Sequence, residues 1–112
     1  MKQIAVLLAE DHAIVRQGLR LLVEADGDSE IVGEAKTGRE AVQMTGELRP
    51  EIVVMDIAMP SLNGLEATKQ ILKAFPATKV LILSAHSDPE YVEQIVKVGA
   101  LGYSVDDCSG RA

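Results

Sequence analysis

Four oxygen-bearing side chains stand out for where they fall in the chain. Glu10 and Asp11 follow the apolar run Ile4 to Ala9, Asp56 follows Ile52 to Met55, and Ser84 follows Val80 to Leu83. Asp11, Asp56 and Ser84 are about 45 and 28 residues apart, yet each stands at the carboxyl end of a short apolar stretch. Three carboxylates brought within a few ångströms repel one another unless a cation neutralises them. Hard oxygen ligands suit Mg²⁺, which takes one or two carboxylates and fills its remaining positions with water and phosphate. At such a site the Asp56 carboxylate can attack a phosphoryl donor in line and form an acyl phosphate, with the Ser84 hydroxyl bonded to a phosphoryl oxygen. The competing reading is that an acid after a strand merely caps the next helix. It holds as well for Asp11 alone, and less well for the three positions together.

Those positions converge only if the intervening segments fold appropriately. The runs Ile4 to Ala9, Ile31 to Gly33, Ile52 to Met55 and Val80 to Leu83, with a weaker fifth at Leu101 to Val105, are short and rich in Leu or β-branched residues, so they read as strands. Between them lie residues at helical spacing: Ile14, Leu19, Leu22 and Val23; Ala41, Val42, Met44 and Leu48; Leu65, Ala67, Ile71 and Leu72; Tyr91, Val92, Ile95 and Val96. Thr37 with Glu40 resembles a capping box, and Asp88 before Pro89 fits an N-cap followed by proline. Pro50, Pro76 and Gly99 mark the ends of the second, third and fourth helices. A strand such as Val80-Leu81-Ile82-Leu83 is apolar on both faces, as in a parallel sheet covered by helices on both sides. The expectation is an α/β chain, (βα)₄β, forming an open doubly wound sheet whose site lies outside the carboxyl ends of its strands.

Composition narrows the function classes. The chain has 112 residues, 47% of them hydrophobic, and a net charge of −6. One domain with a real core is expected, and neither a disordered tail nor a broad basic footprint for DNA or an anionic membrane is. Met1-Lys2-Gln3 precedes only six apolar residues before Glu10. That is neither a signal peptide nor a membrane span, so a cytoplasmic location with no membrane partner is the expectation.

The segments Leu8-Ala9-Glu10-Asp11-His12, Val54-Met55-Asp56-Ile57-Ala58-Met59-Pro60 with Asn63-Gly64-Leu65-Glu66, Leu83-Ser84-Ala85-His86 and Gly99-Ala100-Leu101-Gly102-Tyr103 occur in that order. With them the chain resembles the receiver domain of bacterial two-component response regulators, of the NarL-type subfamily with LuxR-type output. The resemblance implies a flavodoxin-like five-stranded sheet of order 2-1-3-4-5. It also implies Asp56 as phosphoacceptor, Mg²⁺ held by Glu10, Asp11, Asp56 and the backbone carbonyl of Ala58, Ser84 sensing the phosphoryl group, and Tyr103 as aromatic switch. The partners it implies are a sensor histidine kinase and, through an output domain outside these residues, DNA under transcriptional control. Such a module accepts a phosphoryl group and is not a turnover enzyme.

Two departures from the family pattern bear on function. The family places a lysine about three residues past the switch aromatic, and here that position is Asp106, an acid that repels a phosphoryl group and offers no donor. The receiver pattern is expected over residues 1–105, with 106–112 as an atypical tail and the family's fifth helix missing. Without that helix apolar strand surface is left bare, so a homodimer or an exchanged oligomer is expected to cover it.

The remaining candidates carry less. His12 and His86 lack partners at zinc-site spacing, Cys108 is the single cysteine, and Gly38, Gly46 and Gly64 form no phosphate-cradling motif. Three readings stay open: a phosphorylatable switch; a receiver-like binding module that no longer switches because of Asp106; and a Mg²⁺-dependent phosphatase with an aspartate nucleophile, which normally carries a second carboxylate where this chain has Ala58.

Overall fold

The computed structural model describes residues 3–25, 27–56, 64–84 and 101–104. Along the chain they form β1 (Ile4–Ala9), α1 (Ala13–Glu24), β2 (Ser29–Ala35), α2 (Gly38–Leu48), β3 (Ile52–Asp56), α3 (Gly64–Ala74), β4 (Lys79–Ser84) and β5 (Leu101–Ser104). The fourth helical stretch expected around Tyr91 to Val96, with its Asp88-Pro89 start and Gly99 end, lies outside the described residues, as do Ala58, His86 and the 106–112 tail. Among the described residues no helix is long and apolar enough to cross a membrane.

The strands form one sheet in the order β2-β1-β3-β4-β5, and each neighbouring pair is parallel. Ala9 aligns with Met55, Asp56 with Leu83, and Ser84 with Ser104, so the carboxyl ends of β1, β3, β4 and β5 lie along one edge. The chain steps outward from β1 to β2, then returns past β1 to β3 and continues through β4 to β5. With right-handed crossovers, that reversal puts α1 on one face and α2 with α3 on the other, and opens a crevice between the ends of β1 and β3.

Alternation along the inner strands sorts the core. Leu7, Ala9, Val53, Met55, Val80 and Ile82 point to the α2–α3 face and pack with Ala41, Ala67 and Ile71, all nearly or wholly buried. Val6, Leu8 and Val54 point to the α1 face, where they are buried against Leu19 and Val23, which are themselves only partly buried. Both halves of this pattern follow from the period of two in a strand.

The helix ends obey local chemistry. Glu40 N–H donates to Thr37 Oγ1 at 3.1 Å, the forward half of the expected capping box. The return bond differs, because the Glu40 carboxylate accepts from the Lys36 backbone N–H at 2.7 Å rather than from Thr37. Arg49 ends α2 in the left-handed region, with φ 48°, and Pro50 follows. In β2, a side chain at Gly33 would put its Cβ 2.7 Å from both Leu48 and Met44. Glycine there allows α2 to lie close against the sheet, at the point where the β1–β2 register slips between Val6 and Leu7.

Candidate functional site

Glu10 extends β1 by one residue, its N–H donating to the Ala35 carbonyl at 3.0 Å, and its side chain is almost fully buried. The chain then turns through Asp11 and His12 into α1. Asp56 is the last residue of β3 and is half-buried, one strand away. The topology thus brings residues far apart in sequence to the mouth of the β1/β3 crevice. Glu10, Asp11, His12 and Asp56 each present a potential ligand atom there, all within 4.8 Å of one another.

The internal bonding is uneven. Glu10 Oε2 accepts from the His12 backbone N–H at 3.0 Å and lies 3.0 Å from His12 Nδ1. Asp11 Oδ1 lies 3.1 Å from the same Nδ1, a charge contact without hydrogen-bond geometry, and this buried oxygen accepts no hydrogen bond at all. A buried carboxylate oxygen without a donor is costly. It is also what a hard cation would satisfy. Two neighbouring carboxylates and a third across the crevice form an all-oxygen set suited to Mg²⁺, so these residues fit that ion.

The acid cluster holds the exposed His12 imidazole above its ordinary pKa of 6.5, chiefly through the hydrogen bond to Glu10, then through the charges of Asp11, Glu10 and Asp56. His12 occupies the N-cap position of α1 and makes no side-chain cap bond.

Ser84, expected just after its strand, is instead the last residue of β4, immediately after the Leu83 that pairs with Asp56. Tyr103 lies in β5 in register with Leu83. The backbone therefore sets both on the same edge as the acids, with Tyr103 two strands from Asp56.

Arg16 is a residue that pattern reading missed. Its Nη1 donates to the Glu10 carbonyl at 2.8 Å while its Nε donates to Glu34 Oε1 at 2.9 Å. One guanidinium, 13% exposed, so ties the loop carrying the acids to both α1 and β2. Its signal in the sequence is a cation one turn past the acids, repeated one turn on as Arg20, but its partners come from β1 and β2 and are not legible locally.

Comparison with known proteins agrees with this geometry. The family model "Response regulator receiver domain" matches residues 6–107. The transcriptional regulatory protein LiaR of Bacillus subtilis (strain 168) is 41% identical over 100 residues, which are 89% of this chain and 47% of that protein. The transcriptional regulatory protein DegU of Brevibacillus brevis is 34% identical over 98% of this chain and 47% of its own length. The chain therefore spans about half the length of the curated relatives it matches. Among solved structures, a LuxR-family two-component response regulator from Aurantimonas sp. SI85-9A1 superposes with a TM-score of 0.87 at 35% identity, over 92% of this chain and 74% of that one. The signal receiver domain of the putative response regulator NarL from Mycobacterium tuberculosis covers all of both chains, with a TM-score of 0.88 at 26% identity. With the acids at the β1/β3 crevice, the sheet order and the family match over nearly the whole chain in agreement, this protein belongs to the response regulator receiver domain family.

Proposed function

We propose that the chain is the phosphoacceptor module of a two-component response regulator, taking a phosphoryl group from the phosphohistidine of a sensor kinase onto Asp56 in the cytoplasm. The observation that carries this reading is the gathering of Glu10, Asp11 and Asp56 within 4.8 Å at the crevice, with a buried Asp11 oxygen left without a donor. Glu10, Asp11, Asp56 and the Ala58 carbonyl would hold Mg²⁺. When bound, that ion offsets the charge of the converging oxygens and of the phosphoryl group. An Asp56 carboxylate oxygen forms the new P–O bond as the donor's P–N bond breaks, and the departing imidazole nitrogen keeps the electron pair. Arg16 fixes the Glu10 carbonyl, so the acids keep their spacing while charge accumulates. Ser84 is assigned the role of sensing the phosphoryl group and Tyr103 that of the aromatic switch, on the strength of their places at the ends of β4 and β5. This is a two-state element biased by a local charge change. In a longer parent protein it would govern a DNA-binding output domain, in keeping with the transcriptional regulators among its relatives. The module takes one phosphoryl group per copy as a stoichiometric acceptor, and hydrolysis of the acyl phosphate resets it, so its role is to carry a signal rather than to convert substrate.

Asp106 supports a second reading, a module that accepts phosphate without switching, because an acid stands where the family carries lysine. Intact mass after incubation with acetyl phosphate and Mg²⁺ tests both. The expected result is one phosphoryl adduct, lost in Asp56→Asn and without the metal. No adduct on folded protein refutes the phosphoacceptor reading. An adduct with unchanged amide exchange along β4 and β5 selects the non-switching one.

A further inference from the structure

One group at the β1/β3 crevice has no part in the phosphoryl chemistry proposed above, the His12 imidazole. It stands at the N-cap of α1, where Ser, Thr, Asp or Asn would bond an orphaned helix N–H, and it makes no such bond. The ring is turned back to the acids instead. Nδ1 lies 3.0 Å from Glu10 Oε2 and 3.1 Å from Asp11 Oδ1. With Asp56, the four residues each offer one ligand atom within 4.8 Å of the others. Two ligands about 2.1 Å from one ion and at right angles stand about 3.0 Å apart, and opposite ones about 4.2 Å. The Nδ1 spacings therefore match neighbouring corners of such a shell. The contact with Asp11 is the more specific of the two, because Oδ1 is buried, accepts no hydrogen bond and faces Nδ1 without hydrogen-bond geometry. Two donor atoms held that close with no proton shared between them are placed as two ligands of one ion are placed.

We infer, on the footing of the acidic cation site proposed above, that His12 is a nitrogen ligand which gives this site a preference for late first-row divalent ions over Mg²⁺ beyond what its carboxylates alone confer. Carboxylate, carbonyl and water oxygens suit Mg²⁺, whereas affinity for sites with a nitrogen donor rises along the first row towards Co²⁺ and Ni²⁺. Glu10, Asp11 and Asp56 remain the anionic ligands, and the neutral ring, with its proton on Nε2, adds the nitrogen. The His12 side chain is 70% exposed, so an ion reaches it from solvent without any opening of the fold.

Titration calorimetry of the untagged chain with Co²⁺ and with Mg²⁺ gives the ratio of the two affinities. His12→Ala and His12→Gln should each lower the Co²⁺-to-Mg²⁺ ratio by at least about tenfold, since losing even a group that only orients a ligand costs about 10–100-fold in metal affinity. Glutamine keeps a side-chain donor for Glu10 but no imidazole, so it separates ligation from support of the acids. Far-UV circular dichroism should be unchanged in both variants, because the side chain is exposed. In NMR of Co²⁺-loaded chain labelled at histidine, the paramagnetic ion should move the signals of one ring far outside the diamagnetic range. The chain has two histidines, and loss of those signals in His12→Ala assigns the ring. A ratio unchanged in His12→Ala, a ratio that His12→Gln retains, or a Co²⁺ complex with no shifted ring overturns the ligand role and leaves the acidic site standing. Wild-type chain that binds neither ion overturns the acidic site and the ligand role together.

Discussion

The two faces of the sheet are closed by different kinds of interaction. Under α2 and α3, ten buried hydrophobic residues interlock, and even the buried Thr45 and Thr68 hydroxyls are satisfied by helix carbonyls at 2.7 Å. Under α1, among the described residues, only Val6, Leu8 and Val54 are buried. Much of what ties that helix down is ionic: Arg16 and Arg20 both pair with Glu34, and Arg20 reaches Glu24 at 3.5 Å. One face is sealed by hydrocarbon, and the other is clipped at one flank and left open at the opposite one. The acidic site lies where they meet, since Glu10 follows a strand of the sealed core while Asp11 and His12 lead into the clipped helix.

The largest effect should come from breaking the sealed face. Ile71 is fully buried among Ala41, Ala67 and the strands, and Ile71→Ala should cost about 2–5 kcal/mol in denaturant unfolding, the range for large-to-small core changes. Val23→Ala, the counterpart on the α1 face, removes a half-buried side chain and should cost about 1 kcal/mol. Equal losses at the two positions would mean that the faces are equally packed.

A smaller effect sharpens the contrast by its salt dependence. Arg16→Ala removes charge-assisted hydrogen bonds to Glu34 and to the Glu10 carbonyl and should destabilise by about 1–2 kcal/mol at low salt. At 1 M salt the Debye length falls to about 3 Å, so the part of this loss that comes from the partly exposed ion pair should shrink. The Ile71→Ala penalty should not shrink. Weaker Mg²⁺ binding in Arg16→Ala would add that the clip also positions the acids.

Much of this contrast was readable in the sequence, and the unread part has a definite cause. Strand and helix positions followed from short apolar runs, helical spacing and the Thr37 cap, all of which act over a few residues. The gathering of Glu10, Asp11 and Asp56 was readable because a doubly wound sheet aligns its strand ends whatever the loop lengths. The degree of burial on α1 was not. Ile14, Leu19, Leu22 and Val23 look equivalent by periodicity, but only Leu19 and Val23 meet the sheet. Periodicity reports which residues share a face and not what covers it. Arg16 escaped for a related reason: its role depends on a carbonyl from β1 and a carboxylate from β2, placed beside it by tertiary structure alone.

The smallest predicted effect lies at the junction of the two faces, in the titration of His12. Its folded-state pKa is raised above 6.5 by Glu10 first and by Asp11 and Asp56 with it. A base whose pKa rises on folding contributes stability that is fully present below its unfolded value and lost as pH rises through the folded value. Metal-free protein should therefore lose this increment as pH climbs above 6.5, and imidazole proton shifts in NMR should place the midpoint above that value. Glu10→Gln removes the Glu10 charge and weakens the charge-assisted hydrogen bond, and should bring the midpoint down towards 6.5. Mg²⁺ should lower it too, because a cation among the same oxygens replaces the attraction with repulsion. A midpoint that ignores both Glu10→Gln and Mg²⁺ would place His12 outside the field of the acids, and would separate the clipped helix from the site that the sealed core presents.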